Sequence, residues 1–190
     1  NYAFYNCDNI TSVVVADSLD GSSNISIGTH AFADNENIVN IRFENNYIGK
    51  YMFANSKSLN SLIISDTVTL IDDYAFAYCS NLTNLNLSEG INSIGDYTFY
   101  NCSSMLSLTI PDSVTSLGIS VFNGCTNLTD VTLGNGANKI KGYSFSNCTK
   151  LKNINLQNVT SIGYYAFANC NALTEITLND NAGVTGGAFA

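Results

Sequence analysis

Apolar positions recur along this chain in fixed columns. Phenylalanines stand at Phe4, Phe32, Phe53, Phe76, Phe99, Phe122, Phe145, Phe167 and Phe189, with spacings of 21 to 28 residues. Six residues after each of the first eight come Ile10, Ile38, Leu59, Leu82, Met105, Leu128, Leu151 and Leu173. Nine after come Val13, Ile41, Leu62, Leu85, Leu108, Val131, Ile154 and Ile176. Eleven after come Val15, Phe43, Ile64, Leu87, Ile110, Leu133, Leu156 and Leu178. A further column, five residues before Phe, holds Ile27, Ile48, Ile71, Ile94, Leu117, Ile140, Ile162 and Val184. An internal repeat of this length is the mark of a solenoid, in which each unit buries its apolar side only against its neighbours.

The spacing within one repeat predicts its elements. Asn84-Leu85-Asn86-Leu87 alternates with the two-residue period of a half-buried strand. One such strand per coil, stacked in register, makes a parallel main sheet. A second short extended piece, such as the one around Ser161-Ile162, runs on the opposite side. Phe and Cys three residues apart, as in Phe167 and Cys170, predict a helical or 3₁₀ turn between the two sides. The expected fold is an α+β solenoid of the leucine-rich-repeat kind. It has about eight coils of 21–28 residues, a parallel main sheet, short second strands and 3₁₀ or helical turns. Residues 1–190 read as one solenoid domain, an excerpt of a longer array.

The pattern Asn-Leu-Thr-x-(Leu/Ile)-x-Leu, followed by Thr-Ser-Ile-Gly-x-Tyr-Ala-Phe-x-x-Cys, is clearest over Asn81–Cys102 and Asn127–Cys170. It resembles the BspA-like (Treponema pallidum type) leucine-rich repeat, and the resemblance covers essentially the whole chain. That resemblance implies a bacterial or protozoan surface protein, adhesion to host or neighbouring-cell molecules, and no catalytic residues or cofactor. It also implies a cell-surface or extracellular location. The chain departs from the family pattern in four ways. Proline follows a main strand only at Pro111, Asp72 and Lys141 replace a glycine, Asn35 and Ser56 stand in the Cys column, and the gap from Val15 to Ile27 is expanded. The insertion Ala16–Ser26 sits where repeat arrays often carry a binding loop.

Charge narrows the partners. The net charge is −8 and only 12% of residues are charged, with Asn, Ser and Thr filling the polar positions. Such a surface repels phosphate backbones and anionic lipid, which argues against nucleic acid and membrane docking. Lys139, Lys141, Lys150 and Lys152 form a local basic cluster, read as a solvated edge. No run of apolar residues is long enough for a membrane span.

Candidate chemistry is sparse. Cys7, Cys79, Cys102, Cys125, Cys148 and Cys170 each follow a column Phe by three residues. Stacked side chains point in parallel, which suits neither a disulfide nor a metal site. Cys79 to Cys170 are therefore read as a structural ladder beside the structural column Phe32, Phe53, Phe76, Phe99, Phe122, Phe145 and Phe167. The single histidine, His30, occupies a column otherwise held by Tyr2, Tyr51, Tyr74, Tyr97, Ser120, Tyr143 and Tyr165. It reads as a variant of a packing position, and no enzyme is expected. The tyrosine column is either a stripe offered to sugars or proteins, or packing along the coil edge, with packing favoured.

The exposed main-sheet positions vary most, which points to binding. The candidate contact residues are Ser12, Val14, Asn40, Arg42, Ser61, Ile63, Asn84 and Asn86. Val14, Arg42 and Ile63 interrupt an otherwise amide and hydroxyl face on neighbouring coils. The expected function is adhesion to a protein or glycan, without cofactor or metal. The alternative is a structural spacer that associates end to end.

Overall fold

The computed structural model describes residues 1–16 and 27–190. The insertion at Ala16–Ser26 therefore lies, apart from Ala16, outside the described residues. The described chain forms β1 (Ser12–Val15), β2 (Asn40–Phe43), β3 (Tyr47–Ile48), β4 (Ser61–Ile64), β5 (Leu70–Ile71), β6 (Asn84–Asn86) and β7 (Ser93–Ile94). It continues with β8 (Ser107–Ile110), β9 (Ser116–Leu117), β10 (Asp130–Leu133), β11 (Lys139–Ile140), β12 (Asn153–Ile154), β13 (Ser161–Ile162) and β14 (Gly183–Val184). The chain is a parallel β-solenoid with the leucine-rich-repeat fold, as the columns predict.

Two layers enclose the core. The main layer contains the runs β1-β2-β4 and β6-β8-β10-β12, and the opposite layer the runs β3-β5-β7-β9 and β11-β13-β14. Every ladder is parallel and joins residues one coil apart, as in Ser107 opposite Asp130 and Ser93 opposite Ser116. The alternation is the cause: in β8 and β10 the first and third residues face out and the second and fourth are buried. A one-residue slip would turn Leu108 and Ile110 into solvent, so register is strongly specified. The phenylalanine rings fill the space between the layers. From Phe53 to Phe167 they are fully buried, and successive rings stack nearly parallel at 5.4–5.6 Å.

The arc between the layers corrects one expectation. The described residues contain neither α-helix nor 3₁₀-helix, so the α+β class and the 3₁₀ or helical turns do not hold. The reason lies in where the backbone N–H groups go. In the arc around Phe99, Tyr97, Phe99 and Asn101 donate to Ile119, Val121 and Asn123 of the next coil at 2.8–2.9 Å. The intervening Tyr100 and the following Cys102 close turns back to Tyr97 and Phe99. A helix would direct every N–H along its own axis. Here alternate groups point along the solenoid instead.

That alternation requires a left-handed residue on each side of Phe. Positive φ recurs two residues before Phe (Tyr51, Tyr74, Tyr97, Ser120, Tyr143, Tyr165) and two after (Asn55, Tyr78, Asn101, Gly124, Asn147, Asn169). The second column is mostly Asn, which tolerates this region. The first is mostly Tyr, for which the left-handed conformation costs roughly 1–2 kcal/mol per residue. Ring stacking offsets that cost. Tyr51, Tyr74 and Tyr97 stack at 4.6–4.7 Å with planes 7–14° apart, and aromatic pairs of this kind contribute about 0.5–1.5 kcal/mol.

Candidate binding face

The residues that could carry chemistry are held in ladders. Sγ of Cys79, Cys102, Cys125, Cys148 and Cys170 donates to the carbonyl of Phe53, Phe76, Phe99, Phe122 and Phe145 respectively, at 3.1–3.4 Å. Each bond runs to the preceding coil. Asn35 fills the same place with an amide that donates to the carbonyls of Phe4 and Phe32. Ser56 is shorter, and its buried hydroxyl finds no hydrogen-bond partner. Burial pushes the thiols of Cys79 and Cys125 up to about 12 and that of Cys170 up to about 11. Cys102 and Cys148 are also raised, first by burial.

Thiolate is the reactive form, so these groups are inert near neutrality. All six cysteines are free, and only Cys7 is exposed. Treating the native chain with iodoacetamide at pH 8 should modify Cys7 alone, and all six thiols after denaturation. Mass spectrometry counts the adducts, and a second adduct on native protein would contradict the buried ladder.

His30 lies between the rings of Tyr2 and Tyr51, at 4.6 and 4.5 Å. Its Nδ1 is buried without a hydrogen-bond partner, so no acceptor at that nitrogen fixes the tautomer as in a catalytic triad. From Tyr2 through His30 to Tyr97 each ring stacks on the next, and Tyr143 stacks on Tyr165, with Ser120 interrupting the column. A sugar or partner that stacks on an aromatic face would find those faces occupied within the column. The basic cluster is solvated: Lys139, Lys141, Lys150 and Lys152 are all exposed.

The candidate contact residues lie on the outer face of the main sheet. Ser12, Asn40 and Ser61 stand in one register row, and Val14, Arg42 and Ile63 in the next. Ser61 is half-buried and the other five are exposed. Arg42 turns along its own strand, where Nε pairs with Glu44 at 2.7 Å. Val14 and Ile63 are 65% and 58% exposed. Asn84 and Asn86 are exposed too, but they pair with Ser107 and Thr109 of β8. No ladder joins β4 to β6, so the predicted residues divide between two hydrogen-bonded sheets. Clefts of about 280 and 360 Å³ flank Ile63, the second opening where that ladder lapses. Glu44, Asp66 and Glu89 give these clefts an acidic lining.

A wider groove of about 770 Å³ lies farther along the same layer, over β10, β12 and residues 174–177. Its Asp130, Thr132, Asn153, Asn155, Glu175 and Thr177 lie at outward positions, while Val131, Ile154, Leu156 and Ile176 belong to the inward columns. Strand β12 stops at Ile154. Beyond it, Asn155 uses its side chain where a strand would use its backbone: the Leu133 N–H donates to Oδ1 at 2.7 Å, and Nδ2 donates to the Leu133 carbonyl at 3.2 Å. The Asp130 carboxylate is fixed by the Thr129 hydroxyl and the Asn153 amide, both at 2.6 Å. The Thr129 bond, then the Asn153 bond, holds its pKa below the usual carboxylate value. Among the described residues, no cluster of His, Cys, Asp and Glu could hold a metal ion.

The family model for the BspA type leucine-rich repeat region matches this chain in six copies, over residues 1–118 and 92–190. The chain belongs to the BspA-type leucine-rich repeat family. It is similar to a leucine-rich repeat protein of T. pallidum, with 24% identity and a TM-score of 0.79, over 87% of this chain and 78% of that one. A leucine-rich cell surface protein of Faecalibacterium prausnitzii matches at 26% identity and TM-score 0.75, over 91% of this chain. A leucine-rich repeat protein of Bacteroides ovatus matches at 23% and 0.62, over 86% of this chain. This BspA-type chain spans 50% of the F. prausnitzii protein and 47% of the B. ovatus one. No curated protein matches it. The BspA-type fold is that of bacterial surface proteins, and leucine-rich repeat modules are typically non-enzymatic. Among the described residues no helix is long and apolar enough to cross a membrane.

Proposed function

We propose that this chain is a binding module of a cell-surface or secreted protein, which engages a protein partner through the outer face of β1, β2 and β4. The observation that carries the reading is the pair Val14 and Ile63. They stand in one register row, flanking Arg42, on a sheet whose other exposed positions are mostly amide or hydroxyl. Two exposed apolar side chains, with clefts flanking Ile63, provide the anchor that protein contacts favour, with a polar surround to set register. The cell-surface name of the F. prausnitzii relative supports the location.

The test is adhesion of beads coated with the chain to immobilised extracellular-matrix proteins and to epithelial cells. Val14→Ser with Ile63→Ser should reduce adhesion at least tenfold while leaving the melting temperature unchanged, because both side chains are exposed. Adhesion that survives this double substitution at full strength removes the patch from the binding surface.

A further inference from the structure

The groove over β10, β12 and residues 174–177 differs in chemistry from the patch at Ile63 and is independent of it. Its rim is polar: the side chains of Asp130, Thr132, Lys152, Asn153, Glu175 and Thr177 are exposed around it. They combine hydroxyl, amide and carboxylate groups, the set that pairs with vicinal hydroxyls in both directions. Val131, Ile154 and Ile176 reach the groove's edge from the inward side, where Val131 is buried and the other two are half-buried against the core. The volume of about 770 Å³ falls within the range of small-ligand sites.

Two features show that the groove is built rather than frayed. Asp130 and Asn155 are both locked by hydrogen bonds to their neighbours, so little side-chain entropy remains to be lost on binding. The separation of the two coils is also set elsewhere. Behind the groove, Ser161 and Ile162 pair with Gly183 and Val184, and the Phe167 and Phe189 rings stack at 5.1 Å. That is one strand spacing. A peptide strand cannot enter between coils held this close, so a ligand must lie across the face. The lining offers no exposed large apolar or aromatic anchor for a protein. Its charges are Asp130 and Glu175 against Lys152, an acidic balance that disfavours sulfated or sialylated chains.

We propose that this groove binds a neutral oligosaccharide across the outer face, with Asp130, Asn153 and Glu175 bonding to ring hydroxyls. The test uses the ¹⁵N-labelled chain titrated with maltotriose, mannotriose and chitotriose, with dextran sulfate as the anionic comparison. At least one neutral trisaccharide should shift the amides of residues 130–133, 152–157 and 174–177. Asp130→Asn and Glu175→Ala should each weaken that binding at least tenfold, whereas Asn92→Ala, on the far side of the solenoid, should leave it unchanged. All three positions are exposed, and an unchanged melting temperature shows that the variants fold. The proposal is overturned by any of three results: no neutral trisaccharide moving these amides at millimolar concentration, binding indifferent to both groove variants, or dextran sulfate binding more tightly than all three sugars. Loss of sugar binding with bead adhesion intact, or the reverse, separates this site from the patch at Ile63.

Discussion

Replacing Phe99 with alanine should destabilise the chain by about 3–5 kcal/mol, the range for a large aromatic removed from a core. Phe99 is fully buried, with Phe76 at 5.6 Å on one side and Phe122 at 5.5 Å on the other, planes 4° and 1° apart. Alanine forfeits the burial and both stacks, and the cavity has little means of closing. The pitch between coils is held by backbone bonds that the substitution does not touch, among them Phe99 N–H to the Val121 carbonyl at 2.9 Å and the ladder of β7 with β9. Cost depends on how far a site can collapse, so the upper half of the range applies. For a chain of this size each kcal/mol lowers the melting temperature by roughly 2–4 °C. Phe99→Ala should therefore melt about 10 °C or more below the parent. Phe99→Leu keeps most of the volume and should lose far less. The two variants melting within a degree of each other would show that the column does not hold the core.

Gly118→Ala should cost about 2 kcal/mol, although alanine restricts the unfolded chain and by itself would stabilise by about 0.4–1 kcal/mol. The added Cβ would lie 2.2 Å from the Gly95 carbonyl oxygen, 2.3 Å from its carbon and 2.5 Å from the Asp96 nitrogen. All three are backbone atoms of the preceding coil, and they are not free to retreat. The Gly95 carbonyl accepts the Thr98 hydroxyl at 2.9 Å, and the Asp96 carboxylate accepts the Ile119 N–H at 2.8 Å. Overpacking against fixed backbone typically costs 1–3 kcal/mol and outweighs the entropic gain. Gly186→Ala is the matched control, since nothing lies within 4 Å of its added Cβ. Chemical denaturation of the two variants checks the difference. Equal midpoints would mean that the coils separate at Gly118 without penalty.

Gly118 also shows where sequence reading stops. Asp72 and Lys141 occupy the same column, so glycine there is not demanded by backbone handedness. The constraint is a close approach between adjacent coils, met also at Gly95 and Gly163 and invisible in one repeat read alone. The left-handed positions are a different case. The column two residues after Phe reads Asn6, Asp34, Asn55, Tyr78, Asn101, Gly124, Asn147 and Asn169. Its preference for Asn and Gly was a legible sign of positive φ. The tyrosine column carried no such sign, because tyrosine does not favour that region.

The binding face was legible only in outline. Alternation in each strand marks which side chains point outward, and Val14, Arg42 and Ile63 stand out by composition. What opens the clefts is not local. The ladder lapses between β4 and β6, and Asn155 replaces strand pairing with its side chain. Asn155 looks like any other exposed amide in its column until Leu133 of the preceding coil is placed beside it.

The sequence alone determined the solenoid, its family and the inward columns. Each follows from burial, and burial is written in the period of apolar residues. Only the tertiary structure decided the path of the arcs, the covering of the tyrosine faces and the location of the grooves. These depend on where a backbone N–H finds its acceptor, and in this fold that acceptor lies one coil, about 23 residues, away. The apolar period records which side chains are buried, but not which carbonyl each N–H meets.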